Sequence, residues 1–381
     1  MDHLLTATGL SFVITYMAIP VIIRVARMKK LYDLPDDERK VHQQPIPSLG
    51  GIGIFAGLIV AWLMTAPEGI PHFQYILAAL MVIFFVGLKD DIVVLTPLKK
   101  FLGQLLAAGI LVFKGDIVIT GMHGFMGIEQ MPHYVSLLFT FLTIIVITNS
   151  FNLIDGVDGL AATLGVFSSL AFGVYFLLAN QPGHASLAFS LTGALLAFLI
   201  FNSSPARIFM GDTGSLLVGI VNAILVIRFI ESSAVPGGAI SFEAAPAIGF
   251  AVLFVPLFDT LRIFTYRILN RRSPFSPDRK HVHHLLLDKG CSHNKVVLCA
   301  VGFNMAIAAL TYGLRNLNNT VLLLGLVAIG FLTIGILIYT NRGKRKGFYK
   351  YAFGGTLTDT DTKVISITRD SRTTKKGELV R

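Results

Sequence analysis

Val135-Ser-Leu-Leu-Phe-Thr-Phe-Leu-Thr-Ile-Ile-Val-Ile-Thr-Asn149-Ser-Phe151 is an apolar run that turns polar at its end. It continues directly into Asn152-Leu-Ile-Asp155-Gly-Val-Asp158-Gly159. A helix that crosses a membrane needs about 20 mostly apolar residues. This stretch approaches that length with no charge before Asp155. Its reading decides the fold, because similar runs recur at 4–26, 49–66, 74–90, 101–119, 160–178, 186–201, 214–230, 246–268, 295–313 and 320–340. The fold class predicted is all-α: a polytopic integral membrane protein with about eleven transmembrane helices. The run at 101–119 is the weakest, since Gln104, Lys114 and Asp116 interrupt it.

Composition agrees. Of 381 residues, 54% are hydrophobic and 14% charged, and the mean hydropathy is +0.70. Soluble domains carry roughly 25% charged residues, so a soluble surface and intrinsic disorder are both excluded. Two cysteines, Cys291 and Cys299, exclude a disulfide scaffold.

No Lys or Arg precedes the first run, and Arg24 and Arg27 follow it. It reads as a retained span rather than a cleavable signal. Alternating the spans then puts the N-terminus outside and the C-terminus in the cytoplasm. The inner segments become 24–48, 88–101, 152–159, 202–213, 262–295 and 341–381. Of the 32 Lys and Arg residues, only Lys114, Arg228 and Arg315 fall elsewhere, as the positive-inside rule requires. The net charge of +10 is therefore sorted by topology and is not a nucleic-acid footprint. Residues 1–340 read as the membrane unit. Residues 341–381 read as a flexible, basic cytoplasmic tail attracted to anionic membrane lipid.

Charge is costly at membrane depth, so its placement is informative. Asp90 and Asp91 end the third span; adjacent carboxylates repel and call for a cation, although Lys89 alone would partly offset them. Asn149, Asn152, Asp155 and Asp158 recur every three residues, one polar stripe on a helix. Asp158 could instead simply cap the next helix. Asp212, in Gly211-Asp212-Thr213-Gly214, offers a hard oxygen for Mg2+, or reads as another helix cap. Asp259 lies near the inner end of the ninth span. Arg267, Arg271, Arg272, Arg279, His281, His283 and His284 form a basic block suited to phosphate. A zinc site using Cys291 or His293 is the rival there, opposed by the flanking arginines. Carboxylates for a metal and cations for phosphate, all at one membrane face, suit a reaction between a soluble phosphate compound and a lipid phosphate. A transporter is the rival class, but its polar groups would lie nearer the bilayer midplane.

Several motifs in order carry a family resemblance: Lys40-Val-His42 with Pro47 and Gly50-Gly51, Asp90-Asp91, Asn149 through Gly159, Phe209-Met-Gly-Asp-Thr-Gly-Ser215, Ser273-Pro-Phe-Ser-Pro-Asp-Arg279, and His281-Val-His283-His284. The chain resembles the polyprenyl-phosphate N-acetylhexosamine-1-phosphate transferases, the WecA/MraY superfamily. The histidine block is similar to the WecA branch. That branch implies UDP-GlcNAc as donor and undecaprenyl phosphate as acceptor, with undecaprenyl-diphosphate-GlcNAc and UMP as products. Transfer of another N-acetylhexosamine phosphate, or of phospho-MurNAc-pentapeptide, is the alternative within the superfamily. The resemblance implies a bacterial cytoplasmic-membrane enzyme with its site on the cytoplasmic face, and it admits a homodimer.

The roles implied are as follows. Asp212 is the principal Mg2+ ligand, with Mn2+ as an alternative ion and Asp91 in support. Asp90 orients or deprotonates the lipid phosphate. Asn149, Asn152, Asp155 and Asp158 line the nucleotide and phosphate side, Asp155 and Asp158 as part of the catalytic group. Asp158 and Phe209 hold uracil. Arg267, Arg279, His281, His283 and His284 bind the diphosphate and sugar, with Lys40 and His42 near the same mouth.

Overall fold

The computed structural model describes residues 2–31, 46–67, 70–233, 240–269, 271, 286–287 and 289–353, without the side chains of 2–3 and 341–353. The helices are α1 (Asp2–Lys29), α2 (Gly50–Thr65), α3 (Phe73–Ile92), α4 (Pro97–Phe113), α5 (His133–Ile154), α6 (Leu160–Leu178), α7 (Pro182–Asn202), α8 (Gly211–Ser233), α9 (Ala245–Val252), α10 (Phe254–Leu269), α11 (His293–Gly313) and α12 (Asn319–Phe353). The chain divides into two units, Met1–Ile334 and Gly335–Arg381. The described part of the second is helical.

Each of the eleven apolar runs carries a helix. Among the described residues, seven helices are long and apolar enough to cross a membrane, or eight if a bent pair counts as one span. This is a mostly helical, multi-pass membrane protein.

Helix α8 is the centre of the first unit. Every residue from Thr213 to Ile227 is buried, because the helix is apolar all round and must be enclosed. Helices α3 and α5 pack directly against it. Two glycines make that approach possible. A Cβ at Gly87 would lie 2.5 Å from Thr213 Cα, and one at Gly219 would lie 2.7 Å from Thr148 Cα. Without a hydrophobic drive between helices in lipid, such close backbone contact is what small residues permit. Helices α1, α2 and α7 form an adjoining packed group, and α6 packs on α7.

Two features depart from the sequence reading. Residues 121–130 form a hairpin, β1 (Gly121–Phe125) antiparallel to β2 (Ile128–Gln130). Met126 and Gly127 both take positive φ, 53° and 78°, the geometry of a tight two-residue turn.

The expected span at 246–268 is not one continuous helix. It is two helices, α9 and α10, bent by 87°. Pro256 explains the break: it has no N–H to give to Val252, four residues earlier, and its ring crowds that carbonyl. Asn304 on α11 repairs the gap. Its Nδ2 donates to the carbonyls of Val252 (2.9 Å) and Ala251 (3.4 Å), and its Oδ1 accepts from Val255 N–H at 2.8 Å. Irregular backbone at membrane depth persists when protein groups satisfy it in this way.

Candidate active site

Four helix ends meet at one end of the bundle: the C-terminal ends of α3 and α5 and the N-terminal ends of α4 and α8. They carry Asp90 and Asp91, Asn149 and Asn152, Lys100, and Asp212 respectively.

Lys100 is the cation among the carboxylates. Its Nζ lies 2.8 Å from Asp212 Oδ2 and 3.1 Å from Asp90 Oδ2. It also donates to Asn152 Oδ1 at 3.5 Å. Lys89, the sequence neighbour of Asp90, is exposed; the partner of that carboxylate comes from the next helix instead. The other oxygen of Asp90 accepts the Leu95 N–H at 2.6 Å, which fixes the link between α3 and α4.

Asp91 plays a different part. Its carboxylate accepts the N–H groups of Asp212 (2.7 Å) and Thr213 (3.0 Å) and the Thr213 hydroxyl (2.5 Å). The first N–H groups of a helix have no partner within it, and they carry partial positive charge. Asp91 supplies the cap from a neighbouring helix and thereby anchors Asp212. Gly211, at φ 71°, adopts a left-handed turn that opens this helix, and a Cβ there would meet Ser48 O. The Asp-Thr pair is therefore not a local cap, although it begins the helix.

Asn152 Nδ2 donates to Asp212 Oδ1 and to Ser215 Oγ, the latter at 2.9 Å. Asn149, one turn earlier, faces Gln104 on α4 instead. Asn149 Nδ2 donates to Gln104 Oε1 at 2.8 Å, and Gln104 Nε2 donates to Asn149 Oδ1 at 3.2 Å.

Asp155 follows α5, outside the helices. Burial, and then the negative charges of Asp212, Asp91 and Asp158, push its pKa well above the ordinary 3.8. Asp158 is buried and lies 3.2 Å from His293 Nδ1, with the Ala206 N–H at 3.4 Å. It does not cap α6, whose N-cap is Gly159. Phe209 is half-buried, its backbone tied to Pro47 O and Gly50 N–H at 2.8 and 3.0 Å. Arg267 is buried on α10, which packs against α5, and Asp259 on the same helix pairs with Arg262 at 3.0 Å.

The structure thus brings Asp90, Asp91, Asn152 and Asp212 into one bonded group, with Asp155 within range of their charge. Asn149 joins through its own pair with Gln104. Lys40, His42, Arg279, His281, His283 and His284 lie outside the described residues. Sequence reasoning missed Lys100. The available signal was Lys100 and Gln104 at i and i+4, a polar line on a helix that is apolar after Lys100 except for Gln104. His293 was weighed only as a zinc ligand, yet its described partner is Asp158.

Among the described residues, no group of three His, Cys, Asp or Glu side chains forms a protein-only metal cage. Mg2+ does not need one, because it binds through one or two carboxylates, water and substrate phosphate oxygens. The hard carboxylate oxygens of Asp212 and Asp90, meeting at one cation, fit that requirement.

Helices of this kind, with a cluster of carboxylates and a lysine at their ends, define a multi-pass membrane protein with a charged site where those ends meet. Residues 73–230 match the model of glycosyl transferase family 4. The chain is 34% identical to a decaprenyl-phosphate N-acetylglucosaminephosphotransferase of Mycobacterium leprae, over 84% of this chain and 87% of that protein. It is 32% identical to a probable undecaprenyl-phosphate N-acetylglucosaminyl 1-phosphate transferase of Bacillus subtilis, over 81% and 86%. It is 31% identical to an undecaprenyl-phosphate alpha-N-acetylglucosaminyl 1-phosphate transferase of Yersinia pestis, over 76% and 79%. The chain belongs to glycosyl transferase family 4, in the WecA-like branch.

Proposed function

We propose that this protein transfers GlcNAc-1-phosphate from UDP-GlcNAc to a polyprenyl phosphate, undecaprenyl phosphate in particular. The observation that carries the reading is Lys100 held between Asp90 and Asp212 where four helix ends meet. The family relatives, all named as N-acetylglucosamine phosphotransferases on polyprenyl phosphates, support it.

In the reaction, an oxygen of the lipid phosphate attacks the β-phosphorus of the nucleotide sugar. The bond from that phosphorus to the bridging oxygen breaks, and UMP leaves with the electron pair. One phosphoanhydride replaces another, so the equilibrium constant lies near unity. A phosphate's second ionisation lies near pKa ~6, so no strong base is needed. Positioning and charge stabilisation dominate.

Lys100 meets the incoming phosphate charge. Asp90 orients the lipid phosphate beside it. Asp212, oriented by Asn152 and by the Asp91 cap, would hold Mg2+ together with phosphate oxygens. When bound, the ion neutralises phosphate charge and polarises the phosphoryl centre. Phe209 offers its ring to the uracil, and Asp158 its carboxylate. The proposal includes the eleven-span topology, N-terminus outside, with the site on the cytoplasmic face of a bacterial inner membrane. It also treats 1–340 as the transferase unit and 341–381 as its tail.

A donor panel tests the reading. Purified protein receives undecaprenyl phosphate, Mg2+ and, in turn, UDP-GlcNAc, UDP-GalNAc and UDP-MurNAc-pentapeptide. UMP release is measured and the lipid product is weighed by mass spectrometry. The expected result is preferential release with UDP-GlcNAc. Preference for the pentapeptide donor overturns the branch's donor, and no UMP from any donor overturns the enzyme.

A further inference from the structure

Lys100 and Gln104 lie one turn apart on α4, and Asn149 and Asn152 one turn apart on α5. The four side chains make two rungs between the helices. The upper rung is Lys100 to Asn152, 3.5 Å. The lower rung is the reciprocal amide pair of Gln104 and Asn149, at 2.8 and 3.2 Å. The lower rung lies further along both helices from the carboxylates. Asn149 Nδ2 also donates to Ile145 O at 2.8 Å, so its amide is turned toward α4 and its own helix. Gln104 is 3% exposed, in a helix whose other buried residues are Ala107, Ala108, Leu111 and Val112.

Gln104 is buried and Asn149 half-buried, and amides withdrawn from water in this way are costly unless they satisfy each other. An apolar pair of equal volume would pack two helices as well, but with no preferred register. A reciprocal amide pair has one. Each carbonyl must face the other's NH2, so α4 can neither rotate nor slide against α5 without losing both bonds. A single buried polar residue fixes register between coiled-coil helices for the same reason. The register set here is the one that carries Lys100 Nζ to Asp90, Asp212 and Asn152.

We infer that Gln104 is a positioning residue for this reaction, acting through Asn149 to hold Lys100 at the carboxylates. Asn149 is thereby a partner of Gln104 rather than a group that touches substrate. The inference rests on the reading of Lys100 as part of the reacting site, but its structural half is independent of the donor and acceptor.

The test uses the full chain in detergent with three variants: Gln104→Leu, Asn149→Leu, and the double swap Gln104→Asn with Asn149→Gln, which restores an amide pair. Two measurements are made on each. The first is the steady-state kcat and KM for the donor the wild-type protein turns over. The second is the rate at which an amine-reactive acylating reagent labels Lys100, followed by peptide mass spectrometry. Each single variant is expected to lower kcat about tenfold or more, with KM changed less than about threefold, as positioning requires. Labelling of Lys100 is expected to accelerate severalfold as the ammonium leaves its carboxylates. The swap is expected to recover most of both.

Unchanged Lys100 labelling in Gln104→Leu overturns the inference, whatever happens to activity. So does a swap that folds yet restores neither quantity. A general loss of stability would accelerate labelling at the other lysines as well, and that pattern also counts against it. If a leucine variant gives no folded protein, Gln104→Met and the swap are read by the same two criteria. A wild-type protein that releases no UMP would defeat the proposed function alone, because Lys100 labelling would still decide the inference.

Discussion

Lys100 Nζ sits 2.8 Å from Asp212 Oδ2, which ties the start of α4 to the start of α8 across the site. The lysine offsets charge that the helices would otherwise press together uncompensated, since Asp90 lies 3.1 Å from the same nitrogen. Lys100→Ala leaves both carboxylates without their cation and removes the positive charge that would meet a phosphate. We expect turnover to fall on the order of 10²-fold or more. Lys100→Arg should retain more activity than alanine while falling short of wild type, because a planar fork does not reproduce a point charge shared by two carboxylates. Steady-state UMP release checks both, and near-normal turnover in Lys100→Ala would remove the residue from the site.

Asp212→Asn keeps an oxygen for the Asn152 amide but loses the charge that faces Lys100. If Asp212 holds the divalent ion, turnover drops by about 10²-fold or more and the Mg2+ concentration needed for half-maximal rate rises. The measurement is rate against Mg2+ concentration, repeated with Mn2+. A variant with lower rate but an unchanged Mg2+ curve would assign Asp212 to organising Lys100 alone.

Much of this architecture is legible from residue order. A helix occupies each apolar run because length and hydropathy are local properties. The acidic motifs were legible for the same reason, since rare charges at the ends of apolar runs stand out. What stayed hidden depends on contacts between helices. Lys100 reads as one more inner-face cation under the positive-inside rule, and nothing local says that it points at Asp212. Asp91 reads as a metal ligand, while its bonds to the Asp212 and Thr213 N–H groups exist only because Gly87 lets α3 reach α8. The break after Val252 was hidden as well. Its cause, Pro256, is visible in sequence, but Asn304, which makes the break tolerable, lies on another helix.

Asn304 offers a test of that repair. It is fully buried and satisfies backbone groups of Ala251, Val252 and Val255 together. Asn304→Leu takes this partner from the Val252 carbonyl and the Val255 N–H, while the Ala251 carbonyl keeps the Leu253 N–H, and each orphaned buried group costs about 1–3 kcal/mol. We expect a loss of about 2 kcal/mol or more, seen as a lower melting temperature in detergent. Asn304→Asp keeps the acceptor for Val255 and loses the two donations, so it should still be destabilised. A leucine variant that melts with wild type would mean that water or a shift of α9 replaces the amide.

Asp155 gives the pH dependence. Its folded pKa is raised above the ordinary 3.8, first by burial and then by the charges of Asp212, Asp91 and Asp158. The folded state therefore holds this proton to higher pH than the unfolded chain does. The stability linked to it is fully present below pH 3.8 and is lost as pH rises through the raised value. As pH rises toward 8, then, this carboxyl opposes folding more and more, and Asp155→Asn relieves it. With divalent ions removed by chelator, the variant should melt above wild type at pH 8. Its advantage should shrink steadily as the pH is lowered toward 4. Thermal unfolding of both proteins across that range decides the matter. An advantage that stayed constant with pH would trace to something other than the charge. A variant less stable than wild type at pH 8 would show that the ionised carboxylate is favourably bonded in the folded protein.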